Sequence, residues 1–416
     1  MSRILVIAHN HPDLHPGGTE IVARDLSGAY RAAGHETLFL GATNSLHREP
    51  HPGTHFQAIG TAADEMLFWS GHFDRFALSQ TDLYGAMQDL AGLLAEFRPD
   101  VIHLHHLLLI GAEFVPMARR ILPDVRIVLT LHDYYLICPH DGLMVKTEGR
   151  RRCDRATPSD CHACFPAVTP ERFLLREISL KTALGEVDRF VAPSDFLRRR
   201  FVDWSLDPDR IVVIPNGRPA AGIAPPRPTG RRNVFGYFGN LNPWKGLTVL
   251  LEAAARLRDI DPDFELRIHG GAPFQGEAFL ADLEAGFAAA GPAVVRCGPY
   301  RPDDLPDLMS RVDWAVVPSI WWENAPLVIG EARLHGRPVI ASGIGGMAEA
   351  VRHEVDGLLV RPDDPADLAR AMARAMREDG LWDRLAAEAE PPPGMDAMAR
   401  AHLDLFGSLA ARPGRT

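Results

Sequence analysis

The sequence has no hydrophobic run long enough to cross a bilayer. Its longest apolar stretches, 101–110 and 325–332, are interrupted by polar residues and fall short of the roughly 18 to 20 residues that a membrane span needs. The first residues hold only the short apolar run Ile4–Ala8 and no small-residue cleavage site, which predicts a first β-strand rather than a secretory signal. We therefore expect a cytoplasmic protein.

Cysteine and positive charge are also scarce. Five cysteines in 416 residues fit a reducing compartment, where disulfide frameworks are rare. The net charge of −10, from 44 Lys and Arg against 54 Asp and Glu, argues against nucleic acid as a partner, because nucleic-acid-binding proteins are usually basic. A hydrophobic share of 46% excludes a disordered chain.

The glycine-rich fingerprint G-x-G-x-x-G of dinucleotide-binding enzymes is missing. Gly17 and Gly18 follow the first predicted strand, but the loop that begins at Asn10 is long for that fingerprint, which disfavours a nicotinamide enzyme. Because glycine has no side chain, such a pair lets backbone N–H groups approach a phosphate or an acceptor. A plain turn explains the pair equally well.

What the sequence does contain is one pattern repeated in both halves: short runs rich in β-branched residues, each followed by a loop and a helical pattern. Continuous apolar runs are typical of strands covered on both faces. We therefore predict an α/β protein with two doubly wound, parallel-sheet, Rossmann-like domains facing a cleft, with ligands at the carboxyl ends of the strands. The predicted strands are Ile4–Ala8, Thr37–Leu40, Val101–His105, Ile127–His132, Phe190–Pro193, Ile211–Pro215, Val234–Phe238, Glu265–His269, Val294–Cys297, Trp314–Pro318, Pro338–Ser342 and Leu358–Val360.

Two breaks predict the domain boundaries. Residues 218–232 contain four prolines and two glycines without an apolar period, which is typical of a linker. A second break at Pro391–Gly394 precedes an amphipathic stretch. We expect an N-terminal domain of residues 1–217, a linker at 218–232, a second domain at 233–390, and a final helix within 391–416 that crosses back to the first domain.

The stretch 318–338 is the most informative for function. We predict that Asn324 caps a helix and that Pro326 lies in its first turn. Glu323 then lies in the preceding loop and Glu331 about two turns inside the helix. The bare N–H groups of the helix start, which suit a phosphate, fall between the two carboxylates. A nucleotide sugar requires this order of groups, for its sugar hydroxyls, its diphosphate and its ribose.

With these features the chain resembles the retaining nucleotide-sugar glycosyltransferases of sequence family four, which have the two-domain GT-B fold. The marker of that family is a pair of glutamates separated by seven residues, and Glu323 and Glu331 match it. The resemblance extends over nearly the whole chain through six short motifs, which are Gly17–Glu20, Thr130–Asp133, Ala192–Ser194, Pro215–Gly217, Gly239–Gly246 and Gly345–Glu349.

The resemblance implies a role for each matching residue. Lys245 would hold the diphosphate, where a cation offsets the charge that the leaving group gains. Asn240 stands where the family usually has arginine; either it donates a neutral hydrogen bond, or another residue compensates, or donor binding is weaker. The implied donor-binding residues are Gly17, Gly18, Asn240, Lys245, Glu323, Asn324, Ala325, Pro326, Leu327 and Glu331, and the implied catalytic residues are His132, Glu323 and Lys245.

Several histidines lie at the ends of two predicted strands of the first half. His132 would attend the reacting centre, and the neighbouring Asp133 would orient it or meet the acceptor. A neutral imidazole can hydrogen-bond a sugar hydroxyl without adding net charge. We interpret His103, His105 and His106 as hydrogen-bonded structural residues.

The activity implied by the resemblance is retaining transfer of a hexose from a nucleotide diphosphate sugar to a hydroxyl acceptor (a glycan, a polysaccharide precursor or a lipid-linked sugar), without a catalytic cofactor. A nucleotide-sugar epimerase or hydrolase on the same fold and a non-catalytic sugar-nucleotide-binding subunit are the alternatives. Residues 171–184 mix basic and apolar side chains. These residues form either a helix face that binds the inner membrane surface or a helix that packs over the sheet with its charged side in water.

Four of the five cysteines fall within a polar insert at residues 138–164. Cys138, Cys153, Cys161 and Cys164 end in a C-x2-C pair, which provides the ligand number and half of the spacing of a structural zinc site. Zinc and four free thiols both remain open, and a disulfide is disfavoured. We expect Cys297 to be a core thiol.

Overall fold

The computed structural model describes residues 1–149, 151–219, 222–225, 230–273 and 275–409. Within it the chain divides into two compact units. The first, unit 1, consists of Met1–Pro219 together with Pro393–Thr416, and the second, unit 2, of Ala220–Pro392. Of the predicted linker, residues 220–221 and 226–229 lie outside the described residues, as do residues 410–416 of the predicted final segment.

Unit 1 is built on an eight-stranded sheet in the order β10-β9-β8-β7-β1-β2-β4-β3. All neighbouring strands are parallel except β3, which pairs antiparallel with β4 at the edge. A separate antiparallel pair is formed by β5 and β6. The strands are β1 Arg3–Ala8, β2 Glu36–Thr43, β3 Phe56–Ala58, β4 Glu65–Trp69, β5 Phe73–Asp74, β6 Ser79–Gln80, β7 Val101–Leu104, β8 Arg126–Thr130, β9 Arg189–Ala192 and β10 Ile211–Val213. The helices that follow them are α1 Gly18–Ala32, α2 Ala86–Phe97, α3 Phe114–Ile121, α4 Pro158–Cys164, α5 Pro170–Leu184 and α6 Asp195–Asp203.

Unit 2 repeats this plan with a six-stranded, wholly parallel sheet in the order β13-β12-β11-β14-β15-β16. Its strands are β11 Val234–Phe238, β12 Glu265–His269, β13 Val294–Gly298, β14 Trp314–Val317, β15 Val339–Ser342 and β16 Gly357–Val360. Its helices are α7 Leu247–Ile260, α8 Glu277–Ala290, α9 Leu305–Ser310, α10 Leu327–Leu334, α11 Gly345–Ala350, α12 Pro365–Arg377 and α13 Leu381–Glu388. Both sheets confirm the predicted doubly wound α/β fold class.

The last helix, α14 Met395–Ser408, packs within unit 1 although it follows unit 2 in the chain. His402 and Phe406 lie against the ring of Tyr30 on α1, with ring centroids 6.4 and 5.7 Å apart. The return is fixed at Arg218, whose backbone N–H donates to Pro393 and whose carbonyl accepts from Met395. Arg218 lies at the start of the predicted linker, but it is buried and paired within unit 1.

The central strands of both sheets coincide with continuous apolar runs in the sequence. In β1 every residue after Arg3 is fully buried, as expected for a central strand covered on both faces. The sequence prediction missed β3 to β6. Strands β3, β5 and β6 are only two or three residues long, whereas β4 contains the apolar run Met66–Trp69, with Leu67 and Phe68 buried, which the prediction overlooked. No helix among the described residues is long and apolar enough to cross a membrane.

Candidate active site

In each unit the strand order reverses between two central strands, and this is where open α/β sheets bind ligands. In unit 1 the reversal is at β1, which pairs with β2 on one side and β7 on the other. In unit 2 it is at β11 and β14, which pair with each other. The loops after β1, β11 and β14 carry Gly17, Lys245 and Glu323, and His132 follows β8, the strand next to β7.

The loop after β11 presents Lys245 at the end of a short 3-10 helix, Pro243–Lys245. Asn242 caps this turn, because its side-chain oxygen accepts from the backbone N–H groups of Trp244 and Lys245 at 3.0 and 3.1 Å. Gly246 follows with a positive φ of 72° and lies so close to Pro318 that a Cβ there would be 1.9 Å from its carbonyl oxygen. Glycine is therefore required for the loops after β11 and β14 to touch.

Lys245 and Glu323 form an ion pair between these two loops. The Lys245 Nζ lies 2.6 Å from Glu323 Oε1, which also accepts a hydrogen bond from the buried Ser319 hydroxyl at 2.8 Å. Glu323 is buried, whereas the Lys245 side chain is 30% exposed. The pair thus exposes an ammonium group that is held in place by a buried carboxylate. The sequence predicted both residues in the site but not their contact.

The helix after Glu323 begins later than predicted. α10 starts at Leu327 with Pro326 as its N-cap, and no side chain caps it, so the prediction that Asn324 is the cap is wrong. The physical reason is that Pro326 takes an extended ψ of 119°, so the helical turn cannot begin before it. Glu331 is then the fifth helical residue, little more than one turn inside the helix rather than two.

Three further predicted donor residues lie on the same two loops, Asn240 after β11 and Asn324 and Ala325 after β14. Asn324 is buried, and Ala325 is partly buried, between Glu323 and α10. Gly346 approaches them so closely that a Cβ would be 1.7 Å from the Asn324 carbonyl oxygen, while its N–H donates to Glu323. Asn240 is exposed after β11, and its carbonyl accepts from the Tyr237 hydroxyl at 2.9 Å.

In unit 1, His132 lies just beyond β8 and contacts a second histidine. Its Nε2 is 2.8 Å from Nδ1 of His105, and the two rings stack with centroids 5.1 Å apart. Burial lowers the pKa of His132 to about 3 against the opposing effect of Asp133, so the imidazole is neutral at pH 7. A small cavity lies at this edge of the sheet, and its lining includes His105, His106, His132 and Asp133.

Asp133 begins a chain of polar contacts that ends at Glu20. One of its oxygens lies 3.1 Å from Nε2 of His106, whose ring packs at 4.3 Å on His9. Nε2 of His9 in turn lies 3.1 Å from the Glu20 carboxylate. Burial raises the pKa of Glu20 to about 7, because a charged carboxylate is poorly solvated there.

Gly17 and Gly18 mark the start of α1, next to Glu20. Gly17 is the N-cap residue and Gly18 the first helical residue. A Cβ on Gly17 would lie 2.4 Å from a Glu20 side-chain oxygen, so the glycine leaves room for that carboxylate. Of the residues in this part of the site, the sequence analysis missed His9 and Glu20. Glu20 could have been identified from the sequence, because it is the last residue of the motif Gly17–Glu20.

His103, His105 and His106 are buried, as structural histidines would be, and all three hydrogen-bond to neighbouring side chains. His105 and His106 do more than support the sheet, since they contact His132 and Asp133.

Cys138, Cys153, Cys161 and Cys164 line a separate cavity in the insert. Cys297 is exposed on β13, so the expectation of a core thiol is wrong: this strand lies at the edge of its sheet.

Two family descriptions match the chain, one in each half. The family description "Glycosyltransferase Family 4" matches residues 16–221, and "Glycosyl transferases group 1" matches residues 232–378. The chain belongs to the glycosyltransferases of family four. It is 31% identical over 265 residues to the D-inositol 3-phosphate glycosyltransferase of Salinispora arenicola. This match covers 58% of the chain and 59% of the relative. The chain spans about half the length of the curated relatives it matches.

Solved structures match nearly all of the family-four chain. Anabaena Alr3699/HepE, crystallised in complex with UDP and glucose, aligns with a TM-score of 0.69 at 20% identity, covering 98% of this chain and 100% of that one. Sucrose-phosphate synthase of Thermosynechococcus elongatus aligns with the same TM-score and identity, covering 98% of both chains. At this identity the likeness establishes the fold, which is the GT-B architecture.

Proposed function

We propose that this protein is a retaining glycosyltransferase that moves a hexose from a nucleotide diphosphate sugar to a hydroxyl acceptor. The observation that carries the proposal is the Lys245–Glu323 pair, which lies where the strand order of unit 2 reverses and just before the start of α10. A sugar diphosphate needs a cation for its phosphates and an acceptor of hydrogen bonds for its sugar hydroxyls. This pair offers both within one contact.

Lys245 and Glu323 can both bind a donor, because each keeps further hydrogen-bonding positions while it is paired with the other. An ammonium group has three N–H donors, so Lys245 can bind a phosphate oxygen while it remains paired with Glu323. The carboxylate has about four lone-pair sites and can accept from sugar hydroxyls in addition to Lys245 and Ser319. We assign the diphosphate to Lys245 and the start of α10, the hexose to Glu323, and the ribose to Glu331 on α10.

The reaction requires no enzyme nucleophile in this proposal. The bond from the anomeric carbon to the phosphate oxygen breaks, and the bond to the acceptor oxygen forms on the same face of the sugar. The acceptor proton goes to the departing phosphate oxygen. Lys245 would stabilise the charge that develops on the diphosphate, so we propose that turnover needs no divalent cation. His132, neutral at pH 7, would hydrogen-bond a hydroxyl near the reacting centre.

Uridine diphosphate sugars are the first donors to test, because HepE, of the same fold, was solved with UDP-glucose. A thermal-shift panel of UDP, GDP, ADP and CDP sugars should identify the base, since a ligand at 100 times its Kd adds about 2.7 kcal/mol of stability. Turnover with an acceptor is then followed by NMR, which reports the anomeric configuration of the product. A product with inverted configuration would contradict the proposed mechanism.

The same experiment separates the alternatives. An epimerase or hydrolase would release an epimer or free sugar without any acceptor. A non-catalytic subunit would bind a donor and leave it intact with every acceptor tried. Turnover is also measured in EDTA with the metal content of the protein recorded alongside; loss of activity in protein that keeps its fold would contradict metal-independent catalysis.

We further propose that the acceptor is lipid-linked and that unit 1 meets it at the membrane surface. This proposal is supported by α5, whose inward side is formed by Phe173, Arg176 and Leu180. Its outward side carries exposed Leu174, Leu175 and Ile178. The charged outer side expected for a helix packed over a sheet is therefore interrupted by an apolar patch, as in helices that lie in a membrane interface.

A further inference from the structure

The insert at residues 138–164 is ordered by a small hairpin and a short helix. The hairpin is closed by an antiparallel bridge between Val145 and Arg152, and the backbone N–H of Cys153 donates to the Met144 carbonyl at 2.7 Å. The helix is α4, whose N-cap Thr157 accepts from the Asp160 amide through its side chain. These two elements and the turn at Cys138 bring four cysteines from three segments together.

All four cysteines line one small cavity. Cys138 and Cys153 enter it from the turn and the hairpin, and Cys161 and Cys164 from α4. Residues three apart on a helix lie on the same face, so the C-x2-C pair presents both sulfurs to the same space. Cys138 and Cys153 are buried, and none of these four described cysteines is in a disulfide.

Polar groups lie around the cavity. The backbone N–H groups of His140 and Met144 hydrogen-bond to the sulfur of Cys138, although burial raises the pKa of this thiol. The Lys146 ammonium lies within electrostatic range of Cys153, Cys161 and Cys164, and 3.7 Å from Asp160. Four thiolates around one divalent cation leave two negative charges, which a neighbouring ammonium partly offsets.

We propose that Cys138, Cys153, Cys161 and Cys164 bind one Zn²⁺ ion as a structural site. Four thiols give up four protons as the tetrahedral complex forms, with Zn–S distances of about 2.3 Å. Within the described ranges, no three His, Cys, Asp or Glu side chains already converge on a point that would hold a metal. Binding would therefore draw the sulfurs inward across the cavity. No ligand position is left for water, so the ion stabilises the insert and takes no part in sugar transfer.

The site would fix the segment that follows His132 and Asp133. Cys138 is five residues beyond Asp133, and its N–H donates to the Tyr134 carbonyl at 2.7 Å. The buried Arg176 of α5 holds the intervening chain by donating to the carbonyls of Tyr135 and Leu136 at 2.6 and 2.8 Å. A metal bound at Cys138 would thus anchor the far end of a segment that Arg176 already holds at its centre.

The test measures metal on the whole chain. Zinc per chain is determined by mass spectrometry of the gel-filtered protein for the wild type, Cys138→Ser, Cys161→Ser and Cys297→Ser. We expect about one zinc in the wild type and in Cys297→Ser, whose thiol is exposed in unit 2, and a loss of at least 80% in the other two. Zinc retained in both insert variants would overturn the proposal.

A second measurement uses the wild type alone, so that an unfolded variant cannot decide the outcome. Thiols are counted with Ellman's reagent under native conditions before and after zinc is removed with a chelator. We expect Cys297 alone to react while zinc is bound and all five thiols afterwards, and we expect added Co²⁺ to give the visible spectrum of a tetrahedral thiolate site. Five reactive thiols in the presence of excess zinc, or two disulfides by intact mass, would overturn the proposal.

Discussion

The two units share one folding plan but place opposite kinds of chemistry at the point where their strand order reverses. In unit 2 this point holds a full charge pair, Lys245 and Glu323, in contact at 2.6 Å. The corresponding edge of the unit 1 sheet holds His132, His105 and Glu20, whose pKa values are all shifted by burial toward the neutral form, beside a carboxylate, Asp133, whose pKa is held low by His106 against the effect of burial. The two sheets place these groups at equivalent edges, and the loop residues determine whether the groups are charged or neutral.

This difference fits the two substrates of the proposed reaction. A sugar nucleotide carries a diphosphate and needs a cation, whereas a hydroxyl acceptor is uncharged and would be matched by neutral hydrogen-bonding groups. Keeping the histidines neutral also avoids a second positive site that would compete with Lys245 for the diphosphate. The comparison predicts that the two units respond differently to pH, to loss of charge and to loss of apolar surface.

The largest difference should appear when the protein is acidified. His103, His105 and His402 are fully buried in unit 1 with lowered pKa values, and that of His402 is about 4. Below pH 6.5 the unfolded chain takes up protons that the folded unit cannot, so stability falls as the pH falls. For His402, and for His132 with its pKa of about 3, the cost is about 2 kcal/mol each at pH 5. We therefore expect unit 1 to lose several kcal/mol between pH 7.5 and 5.

Pulse-labelling hydrogen exchange during urea unfolding at both pH values would report each unit through its own peptides. Among the described residues of unit 2, the histidines with lowered pKa are His269 and His335. His402→Met should reduce the pH dependence of unit 1, and the matched variant His269→Met should leave unit 1 unchanged. Equal acid sensitivity in the two units would show that this part of the comparison is wrong.

The second prediction removes the charge from unit 2. In Lys245→Met the cation is lost while Glu323 stays buried, and kcat/KM should fall by about 10²- to 10³-fold, the effect of losing one group that stabilises developing charge. Stability should also fall by roughly 1 to 3 kcal/mol, because a buried acceptor loses its charged partner. Steady-state kinetics and urea unfolding measure the two effects separately.

The double variant Lys245→Met/Glu323→Gln is the control for this experiment. It removes both charges together, so stability should return most of the way to the wild-type value while activity stays low. If the double variant regains activity as well, the pair is only a structural support and the proposed donor site is wrong.

How far the sequence predicted this site depends on the kind of contact. Runs of apolar residues and strand–loop–helix order were enough for the fold and for placing Glu323, Lys245 and His132 after their strands, because these features are local. The contact of Lys245 with Glu323 depends on β11 pairing with β14, which joins residues 78 positions apart in the chain. The start of α10 was misplaced because the sequence does not reveal that Pro326 takes an extended ψ.

The third prediction concerns Glu20, the buried acid of unit 1. Its pKa is raised from 4.5 to about 7 in the folded protein, so between these values the unfolded chain ionises and the folded one does not. Stability from this group therefore falls as the pH rises. Glu20→Gln should gain about 2 to 3 kcal/mol relative to the wild type between pH 5 and pH 8. Urea unfolding at both pH values checks this.

Glu36→Gln serves as the comparison for Glu20, because Glu36 is exposed on the same unit and its substitution should have the same small effect at both pH values. A Glu20→Gln variant whose stability relative to the wild type does not change with pH would show that Glu20 is ionised in the folded protein. The neutral character assigned to this part of unit 1 would then be wrong.

The smallest predicted effect concerns the apolar side of α5. Leu175 is 64% exposed, and Ile178 lies one turn further on the same side. If this side enters a membrane interface, replacing either residue by Gln should cost about 1 kcal/mol of binding, roughly a five- to tenfold loss. The measurement is co-sedimentation with vesicles of phosphatidylglycerol and phosphatidylethanolamine. Leu280→Gln, on α8 of unit 2 and also exposed, should bind as the wild type does. Because unit 2 has no assigned role at the membrane, equal losses in all three variants would contradict a surface specific to unit 1.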